Sequence, residues 1–571
     1  MRKHYVLISL LFSTLIPSAW GSTDAQTHGE DIAQALTSLY TNTVTDCGSA
    51  TEPAYQCSGL ILRATETNPA FFPWNPSPNS QKSGGVSFSW LRIDSNFSRG
   101  AFHYLNGFIL YPVRATPKDK INLEPMCYFP VDADSFNRPG WGGCGPNTYY
   151  PNDSYMCDLI IPKPITSDKW LAHYTSVQNT TGGIEQHRHQ CSFDLVTGTS
   201  NTPAKSFLTG IESRQKINDS DKLIQNEMLL EVWDQNIPGQ LPIMAFYYLA
   251  GTDEKKGLAN AQDDQLRFYQ QTSGQIVPII KMTLPATFTG QATFAYNNAD
   301  QAVKDDIAWK LNYLYDYTPD NCGSDSTPAF LCSGVTLRGT ETSSGFFPWN
   351  PSPNSQTKGG VSFSWLRKDT NFSSLGNGHK HGFIFYPVLQ NPAGSEHIEI
   401  LCFFPVDGYT SYRSTLAGCG PSSVFSANSG LCHELTPKVD TGDGWYTHYT
   451  GVTSQRQLHQ CAFDVRDQVN YHAGPNFTAG IEGRNKLNIT ENNELILATW
   501  PQDIPETLPL MAFFYLGGVT GEAAALGDAK TDQTRYYEKT KSILPIVKIT
   551  LPSTFSGTAT FTYSDSDQAV K

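Results

Sequence analysis

Apolar residues in the first half of the chain fall into short runs separated by Gly, Pro, Asn and Asp. GLILRATET (59–67), GGVSFSWLR (84–92), NGFILYPV (106–113), MCYFPV (126–131), QCSFDL (190–195), NEMLLEVW (226–233), LPIMAFYYLA (241–250), IVPIIKMTLP (276–285) and ATFAY (292–296) are rich in β-branched and aromatic residues, and many alternate polar with apolar. Strand side chains point to opposite faces in turn, so a period of two predicts strands. Helical spacing is clearest at Asp31–Tyr40 and again within Asp263–Gln271. The pattern predicts an α+β domain rich in strand.

The whole pattern then repeats. FFPWNPSPNSQ begins at Phe71 and recurs letter for letter at Phe346, and DIAQALTSLY (31–40) is answered by DIAWKLNYLY (306–315). Each copy closes on DQAVK, at Lys304 and at Lys571, with no Gly/Ser- or Pro-rich linker between them. A period this long means two whole domains, since solenoid repeats are far shorter. The predicted division is 22–304 and 305–571. FFPWNPSPNSQ reads as an ordered loop between two strands, its prolines presetting the backbone. Phe72 and Trp74 either plug a core or cover a pocket, the plug being the commoner use of such aromatics.

Composition places the chain outside the cytosol. The first residues, MRKHYVLISLLFSTLIPSAWG (1–21), read as a secretory signal peptide: a basic start, an apolar stretch short for a bilayer, and small residues at Ala19 and Gly21. A signal anchor is the other reading. No later segment is apolar enough to span a membrane, and a net charge of −13 argues against nucleic acid or an acidic membrane surface as partner. Cysteines stand at 47, 57, 127, 144, 157 and 191 and at 322, 332, 402, 419, 432 and 461. Six per copy predicts three disulfides per copy, each contributing about 2–4 kcal/mol. Zinc is the competing use: His187, His189 and Cys191 cluster in QHRHQC, but Gln457 replaces the first histidine in the second copy.

Three short pieces in each copy carry chemistry. Arg63 and Arg338 end an apolar strand and need either a carboxylate of their own domain or the phosphate of a ligand; taken alone, the structural pairing is preferred. Ser87 and Ser89, and Ser362 and Ser364, share a face on the next predicted strand. They can orient a carboxylate or bind a ribose; no G-x-S-x-G elbow surrounds them, so a serine hydrolase is unsupported. Gln225 and Glu227, and Asn492 and Glu494, enter a third strand two residues apart.

Taken in order, Arg, Ser-x-Ser and amide-x-Glu resemble the signatures of the bacterial mono-ADP-ribosyltransferase superfamily, the cholera-toxin-like group with its Arg, Ser-Thr-Ser and Glu/Gln-x-Glu motifs. CSGLILRAT, WNPSPNS, SGGVSFSWLR and HQCSFD resemble more closely the halovibrin family, secreted bacterial enzymes acting on NAD⁺. The resemblance implies two tandem ADP-ribosyltransferase-like domains stapled by disulfides. It implies that Glu227 and Glu494 are catalytic, that Gln225 and Asn492 help choose the acceptor, that Ser87 and Ser362 orient the glutamate, and that Arg63, Ser89, Arg338 and Ser364 hold the dinucleotide. Two departures stand out. Phe88 and Phe363 replace the middle Thr, and an amide replaces the Glu of arginine-modifying members, which argues against arginine as acceptor.

The implied protein is an NAD⁺ glycohydrolase, secreted to the periplasm or the exterior, with no metal and no cofactor beyond NAD⁺ as substrate. Water is the first acceptor and a host or competitor protein the other. Nicotinamide leaves as a cation becoming neutral, positive charge builds on the ribose, and Glu227 stabilises it from the 2′-hydroxyl, a contact worth on the order of 3 kcal/mol. Two rivals remain at this stage. One is a secreted carbohydrate- or receptor-binding protein stacking ligands on Trp74, Trp90 and Tyr104. The other is a glycosidase using Asp94 and Asp369, for which no second carboxylate can be placed.

Overall fold

The computed structural model describes residues 25–570, except 44–46, 48–50, 68–70, 100–103, 135–142, 146–155, 182–188, 197–202, 252, 273, 305, 317–321, 325–326, 344, 411–417, 421–429, 454 and 467–471. The expected leader and His187 lie outside the described residues. The chain divides into two compact units, Asp24–Lys304 and Asp305–Lys571.

All nine apolar runs of the first repeat form strands: β1 (Leu60–Thr65), β2 (Gly85–Leu91), β3 (Asn106–Leu110), β4 (Pro125–Phe129), β5 (Phe193–Asp194), β6 (Glu227–Glu231), β7 (Ile243–Leu249), β8 (Ile279–Thr283) and β9 (Thr293–Tyr296). They make one sheet in the order β5-β4-β6-β2-β1-β3-β7-β8-β9, antiparallel except for β7 beside β8. The second repeat builds the same sheet from β10 (Val335–Gly339), β11 (Gly360–Leu366), β12 (His381–Phe385), β13 (Ile400–Phe404), β14 (Phe463–Asp464), β15 (Glu494–Ala498), β16 (Leu510–Leu516), β17 (Ile546–Thr550) and β18 (Thr560–Tyr563). The fold is α+β, although helix claims more of the described residues than strand, so "rich in strand" understated the helices.

Two helices expected from spacing are present. α1 (Ala25–Thr41) lays Leu36 and Tyr40 on Leu60, Leu62, Ile109 and Ile280, one face of the sheet. On the other face, Trp74, Phe88, Phe108, Met228 and Phe246 form a core with Phe268. Phe268 belongs to a helix over Glu254–Gln271, numbered α5 below. Unforeseen helices cover the β4–β5–β6 half: α3 (Ser167–Thr181) and α4 (Pro203–Lys216).

FFPWNPSPNSQ is ordered, and its second half is a short helix, α2 (Pro78–Ser83), whose N–H at Ser80 is accepted by the Ser77 hydroxyl at 3.1 Å. Trp74 is the plug: wholly buried, edge-on to Phe246 and Phe268, its indole N–H donating to Gln271 at 3.0 Å. Phe72 stacks on it beneath the Arg267 guanidinium.

All twelve cysteines pair in order along the sequence, first with second, third with fourth and fifth with sixth in each repeat: 47–57, 127–144 and 157–191, then 322–332, 402–419 and 432–461. Cys191 is thereby spent, which removes it as a zinc ligand. Six bridges suit an oxidising compartment. No helix among the described residues is long and apolar enough to cross a membrane.

Candidate active site

β1, β2 and β6 are neighbours, and each carries one of the three sequence signatures. Ser87 lies opposite Leu229 and Phe88 opposite Met228; in the second repeat Ser362 lies opposite Ile496 and Phe363 opposite Leu495. Partners across a ladder share a face, so Ser87, Ser89, Leu229 and Glu227 project to one side of the sheet. Asn226, between the two motif residues, splices the strands together. Its amide accepts the Trp90 N–H at 2.8 Å and donates to the Trp90 carbonyl at 2.7 Å, and Asn493 does the same with Trp365.

Each glutamate is enclosed rather than solvated, Glu227 being 2% and Glu494 3% exposed. The Glu227 carboxylate accepts the Ala133 N–H at 3.0 Å. Glu494 accepts the Gly408 N–H at 2.9 Å and the Thr410 hydroxyl at 2.7 Å, and Ser362 also bonds it. Burial, and then the nearby charge of Asp407, pushes the Glu494 carboxyl up to about 7.

A second carboxylate, missed by sequence reasoning, stands beside each glutamate. Asp132 and Asp407 sit in the turn after β4 and β13. Gln225 donates to Asp132 at 3.1 Å and Asn492 bonds Asp407, so the amide of the motif links the two acids. The turn is the same in both repeats: the backbone N–H of each Asp donates to the carbonyl of the motif amide residue, and a positive φ follows at Asp134 and Tyr409. Burial first, and Glu227 second, raises Asp132 to about 8; burial raises Asp407 as well. The available signal was FPVD, recurring at Phe129–Asp132 and Phe404–Asp407. Only the fold brings it beside a residue 95 positions later (Asp132 to Glu227).

The arginines are placed differently. β1 pairs with β2 only over Leu60–Leu62, and beyond that the strands part. Arg63 is the first residue past the divergence. It lies opposite Phe108, which puts it on the Trp74–Phe88 face, away from the serines and Glu227. Its guanidinium donates to the carbonyls of Pro73 and Asn75 at 3.3 and 3.4 Å, both in the repeated loop, and Arg338 donates to Asn350 at 3.5 Å. The expected carboxylate partner is absent among the described residues. Burial without a counter-ion lowers both guanidinium pKa values to about 10.

Most residues of the two rivals are engaged within the fold, while Tyr104 is half-buried. Trp74 and Trp90 are wholly buried, as are Trp349 and Trp365, so none offers a stacking face. Asp94 and Asp369 are each held by an arginine two residues earlier, Arg92 and Arg367, through paired bonds of 2.6–2.8 Å. In the second repeat a hollow of about 650 Å³, lined by Tyr446, Arg456, Gln457 and Lys486, reaches Glu491, the residue before Asn492. Among the described residues no cluster fit to hold a metal ion occurs. Set against known proteins, the chain matches no family and no curated sequence.

Proposed function

We propose that each repeat cleaves NAD⁺ between nicotinamide and ribose, with water as first acceptor and a protein side chain as the other. One observation carries the reading. Three signatures spread from Arg63 to Glu227 fall on three adjacent strands, and so do their counterparts from Arg338 to Glu494. In this reading the enclosed glutamate bonds the ribose 2′-hydroxyl and stabilises positive charge as the C1′–N bond breaks. Ser362 holds Glu494 for that task.

The arginine then acts from the other side of the sheet. It meets the pyrophosphate only if the dinucleotide straddles the line where β1 and β2 part. A half-buried guanidinium held by carbonyls alone keeps its charge available for such an anion. The reading also requires the turn after β4 to shift for access, because Glu227 is covered.

Incubation of the secreted protein with NAD⁺, followed by chromatography for free nicotinamide and ADP-ribose, tests it. Release by wild type and none by a Glu227→Gln, Glu494→Gln double variant is expected. Release unchanged in the double variant sinks the site.

A further inference from the structure

The site holds two acids, and the mechanism above uses one. Asp132 and Asp407 are less enclosed than the glutamates behind them: each residue is partly exposed, whereas Glu227 and Glu494 are almost wholly covered. Resting on the reading that NAD⁺ is cleaved here, we infer that Asp132 and Asp407 take the proton from the attacking water, which makes each repeat a hydrolase rather than a transferase.

The geometry divides the labour. Each glutamate is fixed by the backbone of the same turn that carries the aspartate: Ala133 N–H to Glu227, and Gly408 N–H to Glu494. An oriented, enclosed carboxylate suits fixed charge stabilisation. The aspartate, at the solvent side and bonded by the motif amide, suits proton traffic. A second observation is independent of the acids. Gln225 is 3% exposed, and its buried Oε1 has no hydrogen-bond partner among the described residues, while its N–H donates to Asp132. A buried acceptor beside a carboxyl is satisfied when that carboxyl holds a proton.

Titration shows that the two acids of a site are linked: burial and like charge raise Asp132 in the first repeat and both Asp407 and Glu494 in the second. The groups facing Asp132 are Glu227, Asp134 and Gln225, and those facing Asp407 are Glu494, Glu491 and Asn492. Like charges this close do not all ionise readily, so the pair holds a proton, and the cationic nicotinamide ring of the bound dinucleotide favours its release.

The step balances. The C1′–N bond breaks with its electron pair going to nicotinamide, and water oxygen forms a bond to C1′. The water proton passes to Asp132 and then to solvent, giving ADP-ribose, nicotinamide and H⁺. No further reactant enters.

The test separates C–N cleavage from capture by water. Full-length oxidised wild type and the Asp132→Asn, Asp407→Asn double variant are given NAD⁺ with isotopically labelled nicotinamide. Hydrolysis is read as ADP-ribose formed, and bond cleavage as label exchanged into NAD⁺. Hydrolysis is expected to fall 10²–10⁴-fold while exchange persists, and the pH–rate profile is expected to lose its base limb. Hydrolysis at the wild-type rate overturns the inference, and so does a parallel fall of hydrolysis and exchange in a variant with unchanged melting. A wild type that exchanges label and modifies protein but forms no ADP-ribose overturns it also. A wild type that neither hydrolyses nor exchanges refutes instead the underlying reading.

Discussion

Replacing Arg63 and Arg338 together by methionine separates a functional guanidinium from a structural one. Burial lowers each from 12.5 to about 10. A shift of that size corresponds to about 3 kcal/mol spent on keeping the charge in place. Partial exposure screens it, so about 1–2 kcal/mol is the usable figure. Against this stand the bonds to Pro73 and Asn75 at 3.3 and 3.4 Å and to Asn350 at 3.5 Å, long enough to contribute about 1 kcal/mol net at each site. Methionine keeps the aliphatic stem packed near Phe108. The balance predicts stability unchanged or raised by up to about 1 kcal/mol per unit, a few degrees of melting temperature at most. Nucleotide binding loses a charge-assisted contact, so kcat/KM for nicotinamide release falls about 100-fold. Calorimetry and steady-state kinetics on the full chain read both quantities. A variant destabilised by more than about 2 kcal/mol per unit with unchanged kcat/KM refutes the argument, because the arginine is then a strut for the loop.

Three further outcomes follow from the packing and the buried acids. Asp264, enclosed in α5, accepts from Thr67 and Asn106 and is raised to about 7 by burial; Asp532 is raised likewise. A raised carboxyl lends stability that is fully present below about pH 4 and lost as pH climbs through 7, up to about 4 kcal/mol each. Asp264→Asn with Asp532→Asn is therefore expected to flatten the fall in melting temperature between pH 5 and pH 8.5, and an undiminished fall contradicts the assignment. Trp74→Ala, which opens a cavity between Phe246 and Phe268, is expected to lower unfolding free energy by about 3–5 kcal/mol, measured by urea titration; a loss under 1 kcal/mol contradicts the plug. Cys127→Ser with Cys144→Ser removes the bridge from β4, beside β6, and is expected to lower stability by about 2–4 kcal/mol in the same titration.

The sheet was legible because its strands alternate or run apolar, and every run of the first repeat lies in one. The helices over the β4–β6 half were not. α4 buries Ser206, Thr209, Ser213 and Arg214 beside Phe207 and Ile211. Its inner face is thus half polar, and the apolar stripe that betrays a helix is missing. Arg214 is wholly buried because it donates to four backbone carbonyls, those of Pro130, Asn96, Lys222 and Ile224. The corresponding helix of the second repeat, Ala473–Leu487, carries glycines at 480 and 483, where a methyl group would meet Phe403 at 2.6 Å and Trp445 at 2.9 Å. Close packing bought with glycine hides the helix from propensity.

At the site, order along the chain foretold which strands matter, since Arg and amide-x-Glu bound apolar runs and Ser-x-Ser lies within one. Direction was legible only within a strand. That Ser87 and Glu227 share a face follows from period and register together, and the register is not in the sequence. The resemblance implies that Arg63 and Ser89 hold one dinucleotide, yet pairing with Phe108 turns Arg63 to the other face. Asp132 recurs within FPVD, but only the turn that folds it back onto Gln225 ties it to the site.

Nicotinamide release by Glu227→Gln, Glu494→Gln protein, beside wild type at equal concentration with all disulfides formed, bears most directly on the central claim. The account predicts turnover by wild type and none above background in the variant, with equal melting temperatures. Equal turnover by the two proteins contradicts it.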